Sequence, residues 1–187
     1  KQKTAYEIRR SLVGSEMCIR DRCMVSCPFG AIADKSQIFQ LIRAMQSGRK
    51  IIAQVAPAFA GQFGPKVTPE MFKTALKELG FADVYETALG ADMGCMAEAE
   101  HYVKEVATGK RQFALTSCCP SWSVMAKNLF PETIDKISNE LTPMVATARL
   151  IKQEHPDASV VFIGPCASKK LEASRRCLLY TSDAADE

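Results

Sequence analysis

The stretch TSCCPSW at Thr116–Trp122 places two adjacent cysteines and a proline directly after the strand-like segment Gln112–Leu115. A second stretch, GPCASKK at Gly164–Lys170, places another cysteine after the strand-like segment Ser159–Ile163. In open α/β folds, ligands bind in the crevice outside the carboxyl ends of the strands. Thiolates in such loops are well placed to hold iron or zinc. The two stretches therefore predict a metal site at one edge of a parallel sheet.

The adjacent cysteines Cys118 and Cys119 have two possible roles. Neighbouring residues cannot easily form a disulfide with each other, and thiols in a reduced cytosol more often serve metal or redox chemistry. The alternative is that both are small buried core residues, since free cysteine is often buried. The prolines in both stretches and the polar run Ser168–Lys170 favour the metal site.

Strand-like and helix-like segments alternate along most of the chain. The pattern predicts helices over Ser36–Ser47, Pro69–Leu79, Asp92–Ala107, Ser121–Leu129 and Pro143–Glu154, and strands over Ile51–Val55, Ala82–Glu86, Phe113–Leu115 and Val160–Ile163. Such alternation is typical of an α/β fold, a parallel sheet with flanking helices and right-handed crossovers. Three strands end in APA, SCCP and PCASK, and we expect all three ends to meet in one crevice.

An iron–sulfur motif precedes this α/β region. Cys23, Cys27 and Pro28 match the second half of the bacterial ferredoxin pattern C-x2-C-x2-C-x3-C-P, and Phe29–Ile32 continues it. The fourth cysteine of that pattern can serve a second cluster, so Cys23 and Cys27 need not share one. The alternative is a chance C-x3-C-P. We interpret residues 23–49 as the remnant of a 4Fe–4S ferredoxin-type domain with a linking helix.

Both ends of the chain resemble translated sequencing adapters. Met17–Asp21 can be encoded by ATGTGTATAAGAGACA, which is the reverse complement of TGTCTCTTATACACAT, a sequence that encodes Cys177–Thr181. An inverted repeat that flanks a reading frame is typical of transposase-based library adapters. We therefore expect residues 1–22 and 177–187 to be translated adapter sequence, which does not contribute to the fold. A genuine amphipathic arm and acidic tail is the alternative.

Composition excludes several classes of partner. The chain carries 24 basic and 21 acidic residues, and this net charge of +3 argues neither for nucleic acid nor for an anionic membrane surface. Without the two adapter-like ends, about 150 residues remain, and a chain of this length can bury one hydrophobic core. No run of 18 apolar residues occurs, so we expect no membrane span.

TSCCPSW and PCASKK resemble the first two signature motifs of the iron-only (FeFe) hydrogenases. The likeness extends to Val55–Ala58 (VAPA) and Gly90–Asp92 (GAD), and it covers roughly Lys50–Ser174. It implies that residues 50–176 are the first part of the catalytic domain. It also implies a cytoplasmic enzyme that interconverts protons and dihydrogen at an H-cluster, a 4Fe–4S cubane joined to a diiron centre with CO and cyanide ligands. Electrons would pass through 4Fe–4S clusters to and from a ferredoxin-like carrier.

The resemblance also assigns roles to residues around the cluster. Cys119 and Cys166 would be thiolate ligands of the cubane, and Cys118 would be the free thiol that passes protons to and from the diiron centre. Lys169 would hydrogen-bond a cyanide ligand, and Ala56, Pro57 and Ala58 would line the cofactor site. The alternative for Lys169 and Lys170 is a pair of solvated surface lysines.

Further positions match the proton path of the family. Glu98, Ser138 and Glu172 would carry protons behind Cys118, and His101 stands where the family commonly has a second glutamate. An imidazole can also shuttle protons, but His101 is equally well explained as an exposed helix residue. Cys95, on the same helix as Glu98, is better explained as a core cysteine than as a second relay thiol.

Departures from the family pattern keep the role open. Gly164 replaces the usual methionine, Met144 replaces a glutamine that commonly contacts the diiron site, and Ser121 replaces a glycine. The changes at Met144 and Gly164 favour a sensor that binds the cofactor without turnover. A second alternative is an iron–sulfur assembly factor, although such relatives generally lack the thiol at Cys118. The third cysteine motif of the family is missing, so we expect the chain as written to be an inactive fragment.

Overall fold

Helices and strands alternate in the part of the chain that the structure, a computed structural model, describes: residues 27–29, 31 and 36–173. In chain order the elements are α1 (Ile38–Gln46), β1 (Ile51–Val55), α2 (Pro69–Glu78), β2 (Asp83–Glu86), α3 (Ala88–Glu105), α4 (Pro120–Leu129), α5 (Pro143–Glu154), β3 (Ser159–Ile163) and α6 (Ala167–Ala173). Short 3₁₀ helices span Pro57–Phe59 and Pro131–Lys136. The predicted artefactual ends and Cys23 lie outside these residues.

The sheet has three parallel strands in the order β2-β1-β3. The predicted α/β fold, a parallel sheet with flanking helices, is therefore confirmed. Val55 at the end of β1 pairs with Glu86 of β2 and with Ile163 of β3. All three strands thus end at the same level, and the loops that follow them emerge at one edge.

The central strand β1 is buried along its whole length. Strands of parallel sheets are covered on both faces, which explains the nearly continuous apolar run of β1. On one face Ile51, Ala53 and Val55 pack with Leu76, Phe81 and Val84. On the other face Ile52 packs with Ile151 and Ala158.

One polar side chain of β1 connects the sheet to a helix. Gln54 is fully buried, and its Nε2 donates to the carbonyl oxygen of Met144 at 3.0 Å. Because Met144 is the second residue of α5, this bond fixes the start of that helix beside the carboxyl end of β1.

Two helices begin with a threonine cap followed by a proline. Thr68 and Thr142 precede α2 and α5, and their Oγ1 atoms accept from the amides of Met71 at 3.3 Å and Val145 at 3.5 Å. A proline follows each threonine at the first helical position, where its missing N–H costs nothing.

The start of α3 differs from the prediction. The helix begins at Ala88 instead of Asp92, because Thr87 already has helical backbone angles and β2 leads directly into the helix. Gly90 is buried there, and a Cβ on it would lie 2.3 Å from the carbonyl oxygen of Pro143. The glycine therefore permits α3 and α5 to approach each other closely.

The predicted strand at Phe113–Leu115 is wrong. Leu115 forms only an isolated parallel bridge with Ile137, through the bonds Leu115 N to Lys136 O at 2.9 Å and Ser138 N to Leu115 O at 2.7 Å. The apolar run has three residues, and Phe113 is exposed. It therefore lacks the buried surface that would hold a fourth strand in the sheet.

Among the described helices, none is both long and apolar enough to cross a membrane.

Candidate active site

The loops at the carboxyl edge of the sheet enclose a cleft of about 290 Å³. Six residues predicted for the site line it: Ala56, Pro57, Ala58, Cys118, Cys166 and Lys169. The cysteine run after Leu115 thus reaches this cleft although the segment before it does not join the sheet. The rest of the wall is almost wholly apolar and includes Met144 and Phe162.

Two backbone hydrogen bonds extend the sheet into the cleft wall. The amide of Ala56, just after β1, donates to the carbonyl oxygen of Ile163 at 2.9 Å. The amide of Thr87, just after β2, donates to the carbonyl oxygen of Val55 at 2.9 Å. Pro57 then begins a 3₁₀ turn that carries the Ala-Pro-Ala segment along the cleft.

The adjacent cysteines lie in different surroundings. Cys118 is exposed and lines the cleft, whereas Cys119 is half-buried and does not line it. Cys119 precedes α4 in an extended conformation, so its carbonyl oxygen accepts from Ser123 N at 3.1 Å. The indole N–H of Trp122 donates to the carbonyl oxygen of Thr116 at 3.1 Å, which holds the loop against the helix that follows it.

The second motif begins α6. Cys166 is exposed in the cleft, and its carbonyl oxygen accepts from the amide of Lys169 at 3.1 Å. This hydrogen bond closes a turn in which Lys169 lies three residues after Cys166. The lysine side chain is directed toward the TSCCPSW loop.

Lys169 joins the two motifs. Its Nζ donates to the carbonyl oxygen of Cys118 at 3.0 Å and to Oε2 of Glu172 at 2.8 Å. The side chains of the lysine and the glutamate are 14% and 7% exposed. They therefore form a largely buried ion pair, in contrast to the alternative of a solvated surface lysine. An ammonium has three donors, so one N–H of Lys169 has no assigned acceptor.

The other predicted proton-path residues lie outside the cleft wall. Ser138 is half-buried, and its Oγ accepts from the amide of Glu140 at 3.2 Å. The carbonyl of Glu140 in turn accepts from Ser117 Oγ at 2.9 Å, which links Ser138 to the residue before Cys118. Glu98 is half-buried on α3. Their roles in a relay stay predictions.

Three further sequence expectations concern residues at the margin of the site. His101 is exposed on α3, which agrees with the interpretation that it is an exposed helix residue. The expectation that Cys95 is a core cysteine is wrong, since its side chain is exposed. Cys27 is half-buried in the short described segment 27–29, and Cys23, the other cysteine of the predicted motif, lies outside the described residues.

Thr87 and Phe162 are among the cleft-lining residues that the sequence analysis did not assign to the site. Thr87 directly follows β2, so the rule that identified the cysteines, a polar residue after a strand of the sheet, also identifies this threonine. Phe162 lies in β3, and its ring would be 2.7 Å from a Cβ placed on Gly164. The ring therefore takes the space that a side chain at position 164 would need.

Comparison with known proteins gives a consistent result. A family model described as "Iron only hydrogenase large subunit, C-terminal domain" matches residues 49–184. Iron hydrogenase 1 of Clostridium pasteurianum is 32% identical over 165 residues, which are 79% of this chain and 29% of that protein. The cytosolic Fe–S cluster assembly factor NAR1 of Meyerozyma guilliermondii is 28% identical over 108 residues, 54% of this chain and 20% of that protein.

A solved structure shares the fold. The HydA(deltaEFG) structure, described as revealing stepwise assembly of the [FeFe]-hydrogenase H-cluster, superposes with a TM-score of 0.66 at 26% identity. The superposition covers 79% of this chain and 43% of that one. The chain thus spans less than half the length of these relatives.

Proposed function

Since the chain belongs to the iron-only hydrogenase large-subunit family, we propose that it forms part of the H-cluster domain of an enzyme that interconverts protons and dihydrogen. The observation that supports this most strongly is the cleft itself. It brings Cys118, Cys166, Lys169 and the segment Ala56–Ala58 together at the carboxyl edge of the sheet. We further propose that electrons arrive through 4Fe–4S clusters from a ferredoxin-like carrier in the cytoplasm.

The residues of the cleft fit the H-cluster in kind. Cys166 in the cleft wall and Cys119, which follows Cys118 in the chain and lies outside that wall, are soft thiolate donors of the type that iron–sulfur clusters require, and Cys118 offers a third thiol. A buried threonine hydroxyl without a partner, on Thr87, and the unassigned N–H of Lys169 provide hydrogen-bond donors in an otherwise apolar wall. When bound, the cluster would supply the iron centre and would relay the electrons of the reaction between that centre and the carrier.

The described residues hold only part of the ligand set. Within ranges 27–29, 31 and 36–173, no three side chains of His, Cys, Asp or Glu are arranged around a common metal position. A 4Fe–4S cubane takes four thiolates. We therefore assign Cys119 and Cys166 as two of these ligands and expect the remaining two in the third cysteine motif of the family.

Cys118 is the proposed proton donor. Its thiol is exposed to the cleft, whereas the neighbouring Cys119 is half-buried and outside the cleft wall. A thiol that faces the reacting centre can donate a proton and take it back. We propose that Glu98, Ser138 and Glu172 continue this path, with Ser138 connected toward Cys118 through Glu140 and Ser117.

Lys169 is the proposed donor to a cyanide ligand. Glu172 and the carbonyl oxygen of Cys118 accept two of its three donors and hold the ammonium at the cleft wall. The remaining donor can reach a polar atom inside the cleft. Glu172 thus also positions Lys169, in addition to its proposed place in the proton path.

A sensor that binds the cofactor without turnover is the second candidate. Met144 lies in the cleft wall, where the family commonly has a glutamine. Its thioether side chain cannot donate the hydrogen bond that a glutamine amide can. The ring of Phe162 fills the space beside Gly164, where the family usually has methionine. Both differences change the surroundings of the diiron centre while leaving the cysteines and Lys169 in place.

The test uses the full-length protein that contains this chain, matured with its diiron centre. Infrared bands of CO and cyanide together with hydrogen evolution from a reduced viologen are the result expected for a hydrogenase. Bands without hydrogen evolution would favour the sensor. A protein that binds 4Fe–4S clusters but shows no CO or cyanide bands after maturation would contradict the H-cluster assignment and favour the assembly factor.

A further inference from the structure

Thr87 carries a hydroxyl group that the fold does not use. The residue lines the cleft and is 6% exposed, and its Oγ1 has no hydrogen-bond partner. Buried side-chain polar atoms in native proteins nearly always have a partner. The hydroxyl of Thr87 is therefore an exception that requires an explanation.

The backbone of Thr87 is fully paired. Its amide donates to the carbonyl oxygen of Val55 at 2.9 Å. Its carbonyl oxygen accepts from Gly90 N at 3.1 Å, from Ala91 N at 3.3 Å and from Thr147 Oγ1 at 3.4 Å. These hydrogen bonds thus hold Thr87 in place between β1, α3 and α5, and the hydroxyl is the polar group of this residue that has no partner.

The usual structural role of such a threonine does not apply. Thr87 is the residue before α3, where a threonine side chain commonly accepts from an amide of the first helical turn. Here the backbone of Thr87 is already helical, with φ −62° and ψ −20°, and the side chain makes no such bond. Thr68 and Thr142, which precede α2 and α5 in extended conformations, do make it.

We propose that the hydroxyl of Thr87 hydrogen-bonds the group that binds in the cleft, on the wall formed by the end of β2. This inference rests on the proposed function, under which that group is the diiron centre of the H-cluster. The rest of the wall is nearly all apolar, and Lys169 supplies one further N–H from α6. Because the Thr87 hydroxyl and this N–H need partners, we expect the bound group to carry polar atoms. A hydroxyl is small enough to contact a diatomic ligand or a sulfur atom and still leave room for the group.

The test compares Thr87→Val with Thr87→Ser in the matured full-length protein. Valine keeps the branched shape and removes the hydroxyl, whereas serine keeps the hydroxyl. We expect Thr87→Val to shift at least one CO or cyanide stretching band and Thr87→Ser to restore the wild-type positions. We also expect Thr87→Val to leave the melting temperature of the unloaded protein unchanged or higher, because the hydroxyl has no partner there, and to reduce the gain in melting temperature on loading.

Ser168→Ala is the matched control. Ser168 is 2% exposed, and its Oγ also lacks a partner, but the residue does not line the cleft. Its removal should leave the bands in place. If Ser168→Ala shifts the bands as much as Thr87→Val does, the effect does not come from a contact in the cleft and the inference fails.

The remaining outcomes are also decisive. Unchanged bands in Thr87→Val overturn the inference while leaving the proposed function intact, because the wild type still shows bands. A lower melting temperature of the unloaded Thr87→Val protein with unchanged bands assigns the hydroxyl a structural role and overturns the inference as well. If wild type itself shows no bands, the proposed function fails first. If Thr87→Val does not fold, Thr87→Ala gives the same comparison.

Discussion

At the scale of single residues, Gly164 and Phe162 define the shape of one cleft wall. A Cβ on Gly164 would lie 2.7 Å from Cε1 of Phe162, 2.8 Å from its Cζ and 2.9 Å from Cβ of Ala56. Contacts below 3.0 Å force an atom to move, and the Cβ of Ala56 has no rotamer to change. The glycine is therefore required by the close approach of Ala56 together with this position of the ring.

Gly164→Met should destabilise the protein by less than the ~1–3 kcal/mol typical of overpacking in a core, because Gly164 is itself exposed. Removing the ring in Phe162→Ala makes room, so the double variant should be less destabilised than the sum of the two single variants. Residues in contact show such non-additivity in double-mutant cycles. Chemical denaturation of the four proteins measures it. Additive effects would show that the ring does not occupy this space.

The residues of the cleft were predictable to different degrees. Cys118, Cys166 and Lys169 were found because their motifs resemble a family and follow strand-like segments. Thr87 follows β2 and so satisfies the same rule, but it was not found, because a threonine after a strand has many ordinary uses. The structure shows that its hydroxyl takes none of them. The exposed position of Cys95 was missed, because the sequence pattern of α3 does not reveal which of its faces is covered.

At the scale of elements, the strands and helices with strong boundary signals were predicted best. β1 and α5 have the predicted bounds, since β1 is a nearly continuous apolar run followed by Pro57 and α5 begins at Thr-Pro. The strand predicted at Phe113–Leu115 failed, because three apolar residues do not determine pairing in the sheet. The earlier start of α3 depends on the backbone angles of Thr87 and on the packing of Gly90, which no local pattern encodes.

One hydrogen bond between elements gives a pH-dependent stability. Oη of Tyr85 in β2 donates to Oε2 of Glu154, the last residue of α5, at 2.5 Å. This bond, together with partial burial and the negative charges of Glu154 and Asp83, raises the pKa of Tyr85 to about 12. Nε2 of His155 lies 3.5 Å from the same Oη, and Lys50 Nζ contacts Nδ1 of His155 at 3.1 Å.

A raised tyrosine pKa stabilises the folded state below the pKa of the unfolded chain, which is about 10 for tyrosine. The difference in unfolding free energy between wild type and Tyr85→Phe should therefore be constant up to about pH 10 and decline as the pH rises toward about 12. Urea denaturation across this range measures it. Tyr102→Phe, at an exposed tyrosine of α3, is the control. A difference that does not change with pH would contradict the assigned hydrogen bond.

At the scale of the whole molecule, the sheet organises the site. All three strands end at the same level, so separate motifs at Ala56–Ala58, Thr87 and Cys166–Lys169 meet in one cleft. Lys169 then connects this edge to the cysteine loop through the carbonyl oxygen of Cys118. The family resemblance identified the parts, and the parallel register explains why residues up to 113 positions apart line the same cleft.

The central claim is that two adjacent cysteines have different tasks, with Cys119 as a ligand of the cubane and Cys118 as a proton donor. The most direct measurement is the iron content and hydrogen evolution of Cys118→Ala and Cys119→Ala in the matured full-length protein. Cys118→Ala should keep nearly all of its iron and lose at least about 10²-fold in hydrogen evolution, the lower bound for general acid–base catalysis. Cys119→Ala should lose the cubane, because no neighbouring thiol replaces its ligand. Equal loss of iron in both variants would contradict the assignment.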